Sequence, residues 1–408
     1  MKCIKVPAEQ IETAVAFLIE GYNIAVPLRD YGEDGEAISL QRKNCMDDGE
    51  VLDFKRITST KREDIINYVL MAINCDELPY KSPKEFLFPQ LEKLLIFDDG
   101  CAPVCENIEN KMMVVGIKPC DLTALKILLT VFSEGKHKDI RVMQRRENTI
   151  LIGTNCINKK PGCFCDERGV NRHFSDECDI FIEKPFPEAE HKHEYQDKDE
   201  NEDYIFFSFT ENGDEILSNM ASKGFIIQTE PKNKKISSNG DFNEKSEESP
   251  KDKSSELNES LQDELNEELP EELMINADEY TLFNKIDWDS IVEKCLGCGI
   301  CTYVCPTCHC FDFRDVVQNN KAIRYRCWDS CMYPKFTLHA SGHNPRPTKK
   351  ERYRQRVLHK YVYMKQNFGY IACTGCGRCI RSCPAGMNIR NIVHSINDLL
   401  VDAESAKK

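Results

Sequence analysis

Cys295-Leu-Gly-Cys298-Gly-Ile-Cys301-Thr-Tyr-Val-Cys305-Pro306 and Cys373-Thr-Gly-Cys376-Gly-Arg-Cys379-Ile-Arg-Ser-Cys383-Pro384 repeat one pattern, C-x2-C-x2-C-x3-C-P. This is the ligand spacing of bacterial-type two-cluster iron–sulfur proteins. Three thiolates of one tight turn face a cubane, and the fourth reaches the other cluster. The spacing predicts one [4Fe–4S] cluster on Cys295, Cys298, Cys301 and Cys383, and a second on Cys373, Cys376, Cys379 and Cys305. Gly297, Gly299, Gly375 and Gly377 are expected to let the backbone come close and donate N–H bonds to sulfur. A zinc site would group its ligands as separated pairs, which two full repeats ending in Cys-Pro do not.

The 408 residues leave room for two domains and linkers, and the 41% hydrophobic fraction is enough for packed cores. The 22 cysteines do not read as a disulfide framework. Met1-Lys-Cys-Ile-Lys-Val-Pro is too polar for a secretory signal, and Glu12, Glu20, Gly21 and Pro27 break the stretch from Ile11 to Leu28. Many cysteines without export signals point to metal binding in a reducing compartment, the cytoplasm of an anaerobe, with no membrane insertion. The net charge of −14 argues against a nucleic-acid protein.

Upstream of the repeats the pattern is α/β. Residues 8–21 have helical spacing at Ile11, Val15, Leu18 and Ile19, and strands are expected at Tyr22–Pro27 and Val51–Ile57. Met112–Ile117 and Thr149–Gly153 are short continuous apolar runs of the buried-strand type, separated by a helical Leu122–Val131. Strand–helix–strand alternation predicts an α/β domain with a parallel core, whose sites form at the carboxyl ends of strands. Both runs are followed by cysteines, Cys120 and Cys156, and Cys163 and Cys165 come soon after. These four are expected to hold a third [4Fe–4S] cluster, and the alternative is buried free thiols. Asp203–Ser208 with Gly213 and Glu215–Leu217 suggests a hairpin.

The expected organisation is therefore an α/β N-terminal domain over 1–229, with a charged insert near 186–202. An acidic disordered linker over 230–272, rich in Ser, Glu, Lys and Asn, comes next. An α-rich two-cluster ferredoxin-like domain with a long insert spans 273–402, closed by a helix over Asn388–Leu400. His191 and His193 are surface residues on this reading. The insert carries Cys308, Cys310, Cys327 and Cys331, taken as thiols packed around the clusters. It also carries the basic tract Arg346–Arg356, which is expected to surround the clusters and dock an acidic partner.

Cys305-Pro-Thr-Cys308-His309 matches the haem c attachment motif, but Cys305 is needed as a cluster ligand and haem c chains are exported. No Gly-rich dinucleotide fingerprint, P-loop or Ser/His/Asp arrangement stands out. With four thiolates for each cluster, no open position remains for a substrate. The residues thus favour an electron-transfer subunit with no substrate-converting site. A metal-stabilised binding module without a redox role is the alternative of another class.

The sequence resembles the iron–sulfur beta subunits of soluble, sulfhydrogenase-type NiFe hydrogenases. It is similar, less closely, to the iron–sulfur subunit of anaerobic sulfite reductase that feeds the siroheme subunit. Cys295–Asp312 (CLGCGICTYVCPTCHCFD), Arg326–Cys331 (RCWDSC), Gly342–Pro347 (GHNPRP), Arg354–Lys360 (RQRVLHK) and Cys373–Pro384 carry the resemblance. Ser82–Glu92 (SPKEFLFPQLE), Pro119–Asp121, Cys156 and Cys163-Phe-Cys165 extend it into the N-terminal half. GHNPRP and RQR-x-x-HK favour the hydrogenase type. The resemblance implies a subunit that relays electrons between a flavin subunit handling NAD(P) and a catalytic subunit. The segment around 230–272 departs from the compact run of such proteins.

Overall fold

The computed structural model describes residues 2–29, 52–97, 108, 111–134, 137–185, 203–228, 273–275, 277, 279–318 and 321–405. The expected insert near 186–202 and linker over 230–272 lie outside the described residues.

Two apolar runs form the centre of an eight-stranded mixed sheet. Its strands are β1 (Cys3–Val6), β2 (Asn23–Arg29) and β3 (Leu52–Arg56), then, after β4 (Leu91–Phe97) of a separate sheet, β5 (Met112–Ile117), β6 (Thr149–Thr154), β7 (Ile180–Glu183), β8 (Tyr204–Ser208) and β9 (Ile227–Gln228). The order is β3-β2-β5-β6-β7-β8-β1-β9. β2, β5, β6 and β7 run parallel, and antiparallel strands flank them. Every residue of β5 and β6 is buried, because helices cover both faces. Met113 and Val115 point to one face, against α1 (Ile11–Leu18), α2 (Arg62–Asn74) and a helix over Glu211–Ser222. Met112 and Val114 point to the other, against α3 (Pro119–Ser133) and α4 (Ile140–Glu147).

The expected hairpin over 203–217 is corrected. Tyr204–Ser208 is a strand, but Glu211–Ser222 is a helix, α5. Thr210 caps it through a hydrogen bond accepted from the Gly213 N–H (3.2 Å), and Ile216, Leu217 and Met220 bury at helical spacing. The helical period outweighs the turn signal of Gly213.

The C-terminal part consists of α6 (Glu279–Asn284), α7 (Trp288–Val292), α8 (Ile300–Tyr303), α9 (Lys349–Leu358), α10 (Met364–Phe368), α11 (Arg378–Arg381) and α12 (Ile389–Ser405). Between α8 and α9 the insert forms a hairpin of β10 (Phe311–Gln318) and β11 (Lys321–Trp328). β11 pairs antiparallel with β4, so one sheet crosses the boundary expected between the two halves. Fully buried Trp288 centres the C-terminal core and donates from Nε1 to the Leu282 carbonyl (2.7 Å).

The shared sheet is fastened at Glu92 of β4. Its buried carboxylate meets Arg326 of β11 (Nε at 3.1 Å) and Arg145 (2.6 Å) and Arg141 of α4. Burial alone would raise this carboxyl, but the Arg141 hydrogen bond and the charges of Arg326 and Arg145 hold it below 4.5. Its contribution is complete above pH 4.5 and is lost as the pH falls through the lowered value. Glu92→Gln leaves three guanidinium groups without their shared counter-charge. The expected loss is about 3–5 kcal/mol in urea unfolding at neutral pH. The gap between variant and wild type is expected to narrow on acidification.

Candidate metal centre

The two repeats fold as equivalent halves around a pair of cavities. Each makes a tight turn through glycines at positive φ (Gly297 +68°, Gly299 +81°, Gly375 +65°, Gly377 +70°) and then one short helix, α8 or α11. The first cavity, about 460 Å³ including its open mouth, is lined by Cys295, Cys298 and Cys301 together with Cys383, and Cys379 forms part of its wall. The second, about 330 Å³, is lined by Cys373, Cys376 and Cys379 together with Cys305. Each cavity thus gathers three cysteines of one repeat with the last cysteine of the other, and the first also touches Cys379. Among the described residues, no three His, Cys, Asp or Glu side chains converge as they would on a single metal ion. The thiols stand around the cavity walls, as they must when each is to hold a different iron of a cluster.

The surroundings suit an anionic group. Arg356 of α9 is 3% exposed and lines the first cavity, and its Nε and Nη1 have no hydrogen-bond partner among the described residues. Lys360, in a wide helical turn over His359–Tyr363, donates to Cys305 Sγ (3.1 Å), Thr307 Oγ1 (3.0 Å) and the Ala372 carbonyl (2.9 Å). Lys84 reaches in from the N-terminal half to the carbonyls of Cys305 (2.8 Å) and Cys308 (3.0 Å). The Gly297 N–H donates to Cys295 Sγ (3.4 Å) and the Met387 N–H to Cys383 Sγ (3.3 Å). Burial pushes the free Cys376 thiol up to about 11 and Cys379 up to about 12. Without iron these are neutral thiols, and binding iron releases their protons.

The other four predicted thiols gather beside the second cavity. Cys120, at the start of α3, packs with Cys165, Val170 and Cys376. Cys163 Sγ lies 3.3 Å from the Cys376 carbonyl, and Cys156 is within electrostatic reach of Cys163. Burial pushes Cys165 up to about 12. Cys75 is a further thiol close by. Its carbonyl, with Thr154 Oγ1 (3.1 Å) and the Asn155 carbonyl (3.2 Å), accepts from buried Lys118. Nothing in its local sequence marked Cys75.

The glycines of the second repeat have a reason beyond access to sulfur. The loop carrying Cys163 and Cys165 packs directly on them. The Phe164 N–H donates to the Gly375 carbonyl (2.8 Å), and Arg381 Nη1 bonds the Pro161 carbonyl (3.0 Å) and Cys163 Sγ (3.3 Å). A Cβ on Gly375 would stand 2.4 Å from the Phe164 carbonyl oxygen, and one on Gly377 would stand 2.4 Å from that of Gly162.

One face of the basic tract turns inward. Arg352 and Arg356 are buried, and Lys360 continues their face one turn on. This face looks inward, since Arg356 lines a cavity wall and Lys360 bonds Cys305. The spacing at four-residue intervals beside Tyr353 and Val357 was the sequence signal for it. Cys308 lies beside Cys305, Cys310 and Cys331 lie beside each other, and Cys327 Sγ bonds the Asp312 carbonyl across the hairpin (3.6 Å).

The profile of the 4Fe-4S dicluster domain matches residues 294–387, the span of both repeats and the insert between them. Residues 294–387 form a 4Fe-4S dicluster domain. The chain is also similar to the sulfhydrogenase 2 beta subunit of Pyrococcus furiosus, with 28% identity over 294 residues, 72% of this chain and 76% of that one. The expected kinship with iron–sulfur hydrogenase beta-type subunits is borne out. An iron–sulfur electron-transfer role follows for the chain. No helix among the described residues is long and apolar enough to cross a membrane.

Gly377→Ala is expected to lower stability by roughly 2–4 kcal/mol, from close contact added to left-handed strain. Gly386→Ala, also at positive φ (+65°) but with nothing within 4 Å, is expected to lose only about 1 kcal/mol. Urea midpoints compare the two, and limited proteolysis in 159–168 reports whether the loop has left the repeat.

Proposed function

We propose that this dicluster protein is the electron-relay subunit of an anaerobic oxidoreductase, placed between a flavin subunit handling NAD(P) and a NiFe hydrogenase catalytic subunit. Cys295, Cys298, Cys301 and Cys383 hold one [4Fe–4S] cluster. Cys373, Cys376, Cys379 and Cys305 hold the second, and Cys120, Cys156, Cys163 and Cys165 hold a third. A bound [4Fe–4S] cluster supplies one-electron redox chemistry. The reading is carried by the last cysteine of each repeat, which lines the cavity of the other repeat, so that both cavities draw thiols from both repeats.

The ligand sets adjoin one another, as a relay requires. Cys379 belongs to the walls of both cavities, and Cys376 of the second cavity packs against Cys120 and Cys165 of the next set. The chain's own residues orient these thiols. Lys84 and Lys360 fix the Cys305 turn, Arg168 donates to the Cys373 carbonyl (2.9 Å), and Lys349 donates to the Cys295 carbonyl (2.9 Å). The relation to a sulfhydrogenase beta subunit favours a hydrogenase partner over a siroheme reductase.

Anaerobic reconstitution tests the cluster number. Wild type is expected to bind about twelve iron and twelve sulfide per chain, with a broad visible band that dithionite bleaches. Replacing Cys163 and Cys165 together with Ser is expected to lower iron to about eight per chain. Unchanged iron would remove the third cluster from the account. Bound zinc with no bleaching would support the non-redox alternative.

A further inference from the structure

Arg356 and Lys360 lie one helical turn apart and serve different cavities. Arg356 points its unpartnered Nε and Nη1 into the wall that also carries Cys379 and Cys301. Lys360 bonds the sulfur of Cys305, which belongs to the second cavity. The three partners of the Lys360 ammonium are a sulfur, a hydroxyl and a carbonyl, with no carboxylate among them. Both residues are nearly inaccessible, at 3% and 4% exposure. Two other buried cations meet carboxylates, Arg378 on Asp121 and Arg326 on Glu92. The charges of Arg356 and Lys360 are therefore left to act on whatever fills the cavities.

We propose that Arg356 and Lys360 set the potentials of the two dicluster centres separately, each raising the potential of the centre it faces, with the Cys305 centre the higher of the two. The inference rests on the reading that both cavities hold clusters. Reduction adds negative charge to a cluster, and a fixed positive charge in a low-dielectric site favours the more negative state. The Cys305 centre has two buried ammonium groups beside it, Lys360 on the ligand sulfur and Lys84 on the carbonyls of its loop. The other centre has one buried guanidinium on its wall, and Lys349, whose ammonium reaches its Cys295 carbonyl, is exposed to solvent. The Arg378–Asp121 pair beside Cys376 is internally compensated and adds little net charge.

Lys360 also has a structural part, because its own carbonyl accepts the Ala372 N–H (2.8 Å) while its ammonium holds the Ala372 carbonyl. The test therefore reads potentials. The full chain, reconstituted anaerobically, is titrated with dithionite and mediators while electron paramagnetic resonance follows each centre. Lys360→Met is expected to lower the midpoint of one centre and leave the other in place, at wild-type iron content. Lys360→Arg is expected to restore it. Arg356→Met is expected to lower the other centre. Unchanged midpoints in both methionine variants at full iron content would overturn the proposal, as would an equal shift of both centres in each. If Lys360→Met retains no iron, the comparison rests on Lys360→Gln and Arg356→Met, and unchanged midpoints there overturn it equally. A wild-type chain that takes up no iron would instead overturn the cluster reading beneath it.

Discussion

Arg378 and Asp121 form a two-pronged ion pair that is almost sealed from water, at 1% and 0% exposure. Arg378 sits between Cys376 and Cys379 in the second repeat, and Asp121 follows Cys120 at the start of α3. The pair therefore fixes the cluster-bearing turn against the α/β sheet. Arg378 Nε also holds the Pro79 carbonyl (2.8 Å), which brings in the segment leading to Lys84. Removing one partner of such a pair leaves a buried, uncompensated charge, worth about 3–5 kcal/mol. The contact of Cys120 with Cys376, and the approach of Lys84 to Cys305, both depend on this placement.

The buried charges at Glu92 and Asp121 differ from those at the cavities in what surrounds them. Around Glu92 and Asp121, guanidinium meets carboxylate, and the pairs hold elements together. Around the cavities, Lys84 and Lys360 meet carbonyls, a hydroxyl and sulfur, and Arg356 lines a wall with Cys301 and Cys379. Desolvating an ammonium without an anion is costly. Burial does lower the Lys84 ammonium, but the Cys308 and Cys305 thiols oppose it. Cations so placed are stable once thiolates and a cluster supply the negative charge.

The dicluster repeats were legible because ligand spacing is a local property, and a tight turn carries it without help from distant residues. The buried strands Met112–Ile117 and Thr149–Thr154 were legible for a similar reason, since strands covered on both faces lose their polar alternation. The pairing of β4 with β11 was not, because residues more than two hundred positions apart meet there and strand pairing leaves no local mark. The inward turn of the basic tract was hidden for another reason. Composition reads Arg and Lys as surface, and only their register beside Tyr353 and Val357 shows an inward face. The role of Gly375 and Gly377 was half legible. Their need for positive φ follows from the turn, but the loop that fills the space beside them comes from residues 162–165.

The central claim is that the two repeats exchange their last cysteines, and Mössbauer and electron paramagnetic resonance spectra of two single variants address it. Cys383→Ser belongs to the second repeat in sequence but to the first cavity in space, and Cys305→Ser is its converse. The account predicts that Cys383→Ser alters the signal of the centre that Arg356→Met shifts. It predicts that Cys305→Ser leaves that centre in place and alters the other. If each serine instead alters the centre of its own repeat, the exchange is contradicted and each cluster is held by one contiguous motif.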